Sequence, residues 1–165
     1  MRVKLLLGVA IAGIALSQPL NAATDTKAIT VSASVAASAK LTLSVATVSF
    51  PDSDPDTVTS IPNSEGAITV TAKSKTTAGG AVALTLQAAG NLVSGSDTIG
   101  ISNVTWTASG AGFAAGTMNS ASAVSVGSWL GSGSHVGQLS FFLANSWAYQ
   151  VGTYSVGATY TLTAP

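Results

Sequence analysis

Apolar residues recur at every second position through most of the chain. Ile29, Val31, Ala33 and Val35 alternate with Thr30, Ser32 and Ser34, the pattern of a strand with one apolar and one polar face. In "LTLSVATVSF" the apolar phase is odd at Leu41, Leu43 and Val45, then even at Val48 and Phe50. A slip near Ala46 and Thr47 predicts a bulge or a strand that changes sheets. Pro51, Pro55, Pro62 and Gly66 mark residues 51–66 as a loop. Ile68, Val70 and Ala72 resume alternation, and "TTAGG" reads as a turn before Val82, Leu84 and Leu86.

The middle is less regular. Ile99 and Ile101 alternate, and Val104 and Trp106 follow after a second slip. "SGAGFAAGTMNSASA" predicts a long irregular connection. Val124 and Val126 suggest a short strand, and Leu139, Phe141 and Leu143 a clear one. The last strand is the cleanest: Tyr154, Val156, Ala158, Tyr160 and Leu162 share one face, with Ser, Gly and Thr opposite. After the first residues no segment sustains a helical period. Short strands spaced by Gly, Ser, Asn and Pro predict an all-β, antiparallel, immunoglobulin-like β-sandwich, with a closed barrel as the alternative.

The first residues break this pattern. Arg2 and Lys4 precede the apolar run Leu5–Leu16, which is too short to span a bilayer comfortably, and Pro19 and "NAA" follow. This predicts a signal peptide over 1–22 cleaved after Ala22, with Ala23 as the alternative. Residues 23–36 then form an N-terminal alternating strand, and 37–165 the β-sandwich domain. The expected location is secreted, periplasmic or at the cell surface, with no membrane insertion after cleavage. Lys27, Lys40, Lys73 and Lys75 against six acids leave the processed chain at a net charge of −2. That balance argues against nucleic acid and anionic membranes as partners. With no cysteine, packing and backbone ladders must supply the stability. A sparsely charged, hydroxyl-rich surface does little to keep copies apart and suits a subunit of an assembly.

Candidate chemistry is thin. His135 is the only histidine and lies in "GSGSHVG", which reads as an exposed loop, and no nucleophile elbow accompanies the many serines. A zinc site would need carboxylates for its other ligands. The expectation is therefore a protein that is not an enzyme. Trp129 in "GSWLGSG" and Trp147 in "NSWAYQVG" have loop-like contexts and are candidate ligand-binding platforms, whereas Trp106 is in phase with the core. "PDSDPD" gathers Asp52, Asp54 and Asp56, half of the protein's acids. With Glu65 they are candidate calcium ligands, although calcium asks for about six to eight converging oxygens. Alternate residues of an extended chain lie roughly 7 Å apart, where two charges in water repel by only about 0.6 kcal/mol. A solvated loop holds them without a cation, and no other cofactor is expected.

The ends of the chain carry a resemblance. "ITVSASVAASAKLTLSVATVSF" and "GTYSVGATYTLTAP" resemble the two ends of chaperone–usher pilin subunits, in particular the spore coat protein U-like branch. The resemblance implies an incomplete immunoglobulin-like sandwich whose missing strand comes first from a periplasmic chaperone and then from the next subunit. It makes Ile29, Val31, Ala33 and Val35 donor side chains, and Gly152, Tyr154, Val156, Ala158, Tyr160 and Leu162 the acceptor edge. The family's cysteine pair is absent, and Ala164 stands where many members have an aromatic residue. The implied function is a structural or surface-assembly subunit polymerising by strand exchange into a pilus or coat, as a homo-oligomer or with other surface subunits. The alternative is a free-standing secreted sandwich that binds a carbohydrate or cell-surface ligand.

Overall fold

The computed structural model describes residues 23–165, so the signal-peptide expectation for 1–22 lies outside the described residues. Residues 34–165 make one compact unit. It holds β1 (Ser38–Leu43), β2 (Ser60–Pro62), β3 (Ile68–Lys75), β4 (Ala81–Ala88), β5 (Leu92–Ser94) and β6 (Asp97–Ile99). After a short 3-10 turn come β7 (Val104–Ser109), β8 (Gly116–Thr117), β9 (Val124–Leu130), β10 (Gly133–Ala144) and β11 (Ala158–Thr163). The protein is all-β, and its ladders are antiparallel.

The larger sheet has the order β1-β3-β10-β7-β8, with β2 also paired to β10. The smaller has the order β11-β4-β9, and β5 and β6 form a separate hairpin. Alternation decides which side chains meet. Val70 and Ala72 of β3, Leu139 and Phe141 of β10 and Trp106 of β7 turn inward from the larger sheet. Val82, Leu84 and Leu86 of β4 and Val126 of β9 turn inward from the smaller, and all belong to one apolar cluster. Each Val, Leu or Phe among them contributes about 1.5–3 kcal/mol on full burial. The arrangement is sandwich-like.

The slip at Ala46–Thr47 is visible in burial. Leu41, Leu43 and Val45 are half-buried, Ala46 and Thr47 are both exposed, and Val48 and Phe50 are half-buried again. The N-terminal alternating segment differs from expectation. Residues 23–37 carry no ladder, and Ile29, Val31 and Val35 are 85%, 87% and 76% exposed. The alternation fits a strand, but the segment has no partner strand among the described residues.

A buried polar hub stitches the larger sheet to the turn that follows β2. Asn63 is 7% exposed. Its Nδ2 donates to the Gly66 carbonyl at 2.8 Å and to Glu65 Oε2 at 3.3 Å, while its Oδ1 accepts the Phe141 N–H at 3.1 Å. The Asn63 N–H donates to the Phe141 carbonyl at 3.0 Å. Gly66 closes the turn at φ 69, a conformation in which a Cβ is penalised. Asn63→Ala leaves the buried Phe141 N–H without its acceptor. It is expected to cost about 1–3 kcal/mol in urea unfolding, whereas Ser64→Ala on the exposed neighbour should be nearly silent.

Candidate functional site: an open groove between two sheet edges

The core of residues 34–165 is not closed on one side. β1 ends the larger sheet and β11 ends the smaller, and no strand pairs with the outer edge of either among the described residues. Between them lies a groove of about 1450 Å³. Leu43, Val45, Val48 and Phe50 form one lip, and Tyr154, Val156, Ala158 and Tyr160 the other. Its floor is the core itself, including Leu86, Val104 and Phe141. An opening lined by Leu41, Leu43, Ala158 and Tyr160 lies beside the same two edges.

Why the groove stays open can be read from the lips. A strand inside a sheet has neighbours on both sides, and its inward residues reach near-zero exposure, as Val70 and Leu84 do. The inward residues of β1 and β11 stop at half-burial: Leu41, Leu43, Tyr160 and Leu162. Ala158, the smallest inward residue of β11, is exposed. Burial nevertheless desolvates the Tyr160 phenol enough to push its pKa up to about 12. The groove is thus an apolar slot flanked by two rows of unpaired backbone groups, a template for another strand.

Of the residues that the resemblance makes an acceptor edge, Gly152, Tyr154, Val156, Ala158 and Tyr160 line this groove, and Leu162 lies outside its lining. β11 begins only at Ala158. Upstream, Ser155 makes an isolated bridge to Val93, which carries Tyr154 and Val156 to the lip. Gly152 is exposed and packs against Ser94, where a Cβ would lie 2.4 Å from its Oγ.

The opposite lip is pinned by Glu65. Its Oε2 accepts the Ser49 N–H at 3.0 Å, and the Ser64 N–H donates to the Ser49 carbonyl at 2.8 Å. Ser49 sits between Val48 and Phe50, so these bonds hold the segment in its shifted phase. The Ser49 N–H, helped by Asn63, lowers the Glu65 pKa from 4.5 to about 2.

The candidate calcium ligands do not converge. Asp54 Oδ1 accepts the Asp56 N–H at 2.9 Å within the loop, Asp56 Oδ1 accepts Trp147 Nε1 at 3.0 Å, and Glu65 faces Ser49. Among the described residues no group of three acids or histidines is placed to hold a metal ion. The structure does not bring Asp52, Asp54, Asp56 and Glu65 together: Asp54 and Asp56 serve the loop, Glu65 holds Ser49, and Asp52 lines the groove mouth.

The two candidate tryptophans part company. Trp129 is 9% exposed and donates from Nε1 to the Ala111 carbonyl at 2.8 Å, so it offers no platform. A register shift between Leu84 and Thr85 places Ser125 and Gly127 opposite consecutive β4 residues. The extra residue on β9, a bulge, moves the inward phase from Val126 to Trp129. Trp129 stacks on His135 at 4.5 Å and 9°, with Phe113 edge-on at 4.9 Å. His135 is therefore not a loop residue: it lies inside β10, opposite Ala72. Glycines make this packing possible, since a Cβ on Gly127 or Gly137 would fall 2.4 Å from the Trp129 or Phe113 ring. Trp147 remains 71% exposed, tethered by Asp56 at the groove mouth. Alternation on a single strand gives no sign of the bulge that buries Trp129. The spacing of Gly127, Gly133 and Gly137 is the one sequence trace of the aromatic cluster.

No family model matches the chain, and no curated protein or solved structure matches it either.

Because the folded Glu65 pKa is depressed, its stabilisation is present above the unfolded value of 4.5 and is lost as pH falls toward about 2. Glu65→Gln keeps an acceptor for Ser49 but removes the charge. The difference in Tm between the parent and this variant is expected to be constant above pH 5 and to vanish near pH 2. A difference that does not change across that range would separate Glu65 from the lip.

Proposed function

We propose that this chain is an exported structural subunit with an incomplete immunoglobulin-like fold, completed by a strand from outside the domain. In this reading the signal peptide over 1–22 directs export, and the groove between β1 and β11 takes up an extended segment of alternating apolar residues. Ile29, Val31, Ala33 and Val35 of another copy are the donor side chains, and a periplasmic chaperone holds the groove until assembly. The observation that carries the reading is the open slot into the core, flanked by two unpaired sheet edges, in a chain whose alternating N-terminal segment is exposed.

The energetics favour an occupant. Seating four small apolar side chains over Leu86, Val104 and Phe141 removes apolar area from water on both partners. Backbone ladders on either side satisfy the exposed edge groups. The donor needs no turn and no side-chain hydrogen bond, which suits a segment of Thr, Ser, Ala, Val and Ile.

The alternative is a secreted module for a carbohydrate or cell-surface ligand. With Trp129 in the core, that reading draws on Trp147, an exposed ring fixed at its Nε1.

A synthetic peptide of residues 23–37 is expected to raise the Tm of a variant lacking residues 23–36. The stabilisation should reach about 2.7 kcal/mol at a hundredfold excess over Kd. Changing Val31 to Asp in the peptide should weaken binding at least about tenfold, because a carboxylate would enter an apolar seat. The truncated protein itself should stay monomeric while the longer chain assembles, as seen by light scattering and electron microscopy. An unchanged Tm with peptide present would reject the strand-acceptor reading. Glycan-array binding that disappears in Trp147→Ala would favour the alternative.

A further inference from the structure

The segment that suits the groove is tethered two residues from β1, one of the groove's own lips. The simplest occupant would be the chain's own segment, folded back as a hairpin on the free edge of β1. Strand phase argues against it. In an antiparallel pair, residues directly opposite each other project from the same face. A two-residue turn at Ala36–Ala37 pairs Val35 with Ser38, Ala33 with Lys40, Val31 with Thr42 and Ile29 with Ser44. Lys40, Thr42 and Ser44 are on the exposed face of this lip, whereas Leu41, Leu43 and Val45 face the core. The tightest hairpin would therefore turn the apolar side chains to water and send Thr30, Ser32 and Ser34 into the groove.

A three-residue turn restores the phase, over either Val35–Ala37 or Ala36–Ser38. Three-residue hairpins place a residue in the left-handed region, commonly glycine. Here that position falls on Ala37 or Ser38, and neither turn contains Gly, Asn or Asp. The first turn also gives up the Val35 seat. The second would pull Ser38 out of its pairing with Lys75 on β3.

We infer that the Ala36–Ala37 junction is a phase lock that keeps the chain's own segment out of its groove and leaves that segment for a second copy. The inference rests on the strand-acceptor reading above and adds what directs the strand outward. A copy arriving in trans has no junction to satisfy and can slide to the register that seats Ile29, Val31, Ala33 and Val35.

The test uses the exported chain, residues 23–165, and two variants. In the first, Ala37→Asn is combined with one glycine inserted before Ser38. The resulting two-residue Asn-Gly turn pairs Ala36 with Ser38, and so Val35 with Ala39, Ala33 with Leu41 and Val31 with Leu43; it is in phase and keeps both Val35 and Ser38 in their strands. In the second, Ala37→Val makes the left-handed position less accessible. Hydrogen exchange at residues 29–35 and light scattering are followed against protein concentration. The parent and Ala37→Val are expected to exchange freely when dilute and to gain protection only as they assemble. The inserted variant is expected to be protected and monomeric throughout, with assembly reduced about tenfold or more, since a left-handed alanine is disfavoured by about that factor. Protection of 29–35 in a dilute parent monomer would overturn the phase lock. So would an inserted variant that assembles like the parent. If a labelled 23–37 peptide binds none of the three and no form protects 29–35, the strand-acceptor reading itself fails.

Discussion

The apolar floor of Leu86, Val104 and Phe141 is covered by two sheets that meet at neighbouring edges without pairing. β1 and β11 each have a neighbour on one side only, and among the described residues no strand or side-chain cluster fills the space between their facing edges. The half-burial of Leu43 and Tyr160 is the direct result. So is the raised pKa of Tyr160, whose phenol is desolvated by a wall complete on one side only. The opposite end of the core meets the same need locally. There Trp129, His135 and Phe113 close the gap between sheets with stacked and edge-on rings seated over glycines.

The remaining features hold the unfinished edge in shape. A strand with one neighbour can slide, and the lip from Val45 to Phe50 carries a phase slip besides. Its register is set by hydrogen bonds from outside the sheet: Glu65 and Ser64 on Ser49, with Asn63 tying that turn to β10. The acidic loop follows directly. Asn145 donates to the Ser53 and Val58 carbonyls at 2.9 and 3.0 Å, and Trp147 donates to Asp56. The two loops at the groove mouth thus brace each other. The crowded aspartates find their use in turn geometry and in one indole partner.

Much of this was legible along the chain, because alternation reports directly on which face of a strand is wet. The slip at Ala46–Thr47, the all-β antiparallel architecture and the inward sets of β3, β4, β10 and β11 follow from period-two counting. What alternation could not give were events that depend on a second strand. The bulge opposite Leu84 and Thr85 rephases β9 and buries Trp129, yet nothing in "VSVGSWL" alone marks it. His135 sits in glycine and serine that read as a turn, and only the ladder with β3 makes that stretch strand. The groove was implied by resemblance at the two ends. Its existence as an opening depends on which strand neighbours which, and a single sequence does not print that order. The N-terminal segment shows the converse: a clean strand pattern with no ladder of its own.

The distribution of indoles has a spectroscopic consequence. Trp106 and Trp129 lie in the core, each with its ring nitrogen bonded to a backbone carbonyl, so their emission is blue and indifferent to events outside. Trp147 alone is in water, and it stands at the mouth of the groove. Its red-edge emission and its access to soluble quenchers therefore form a native optical channel that looks onto the mouth of the slot, over a constant background from the other two. The molecule carries its own occupancy gauge, readable without attaching a dye.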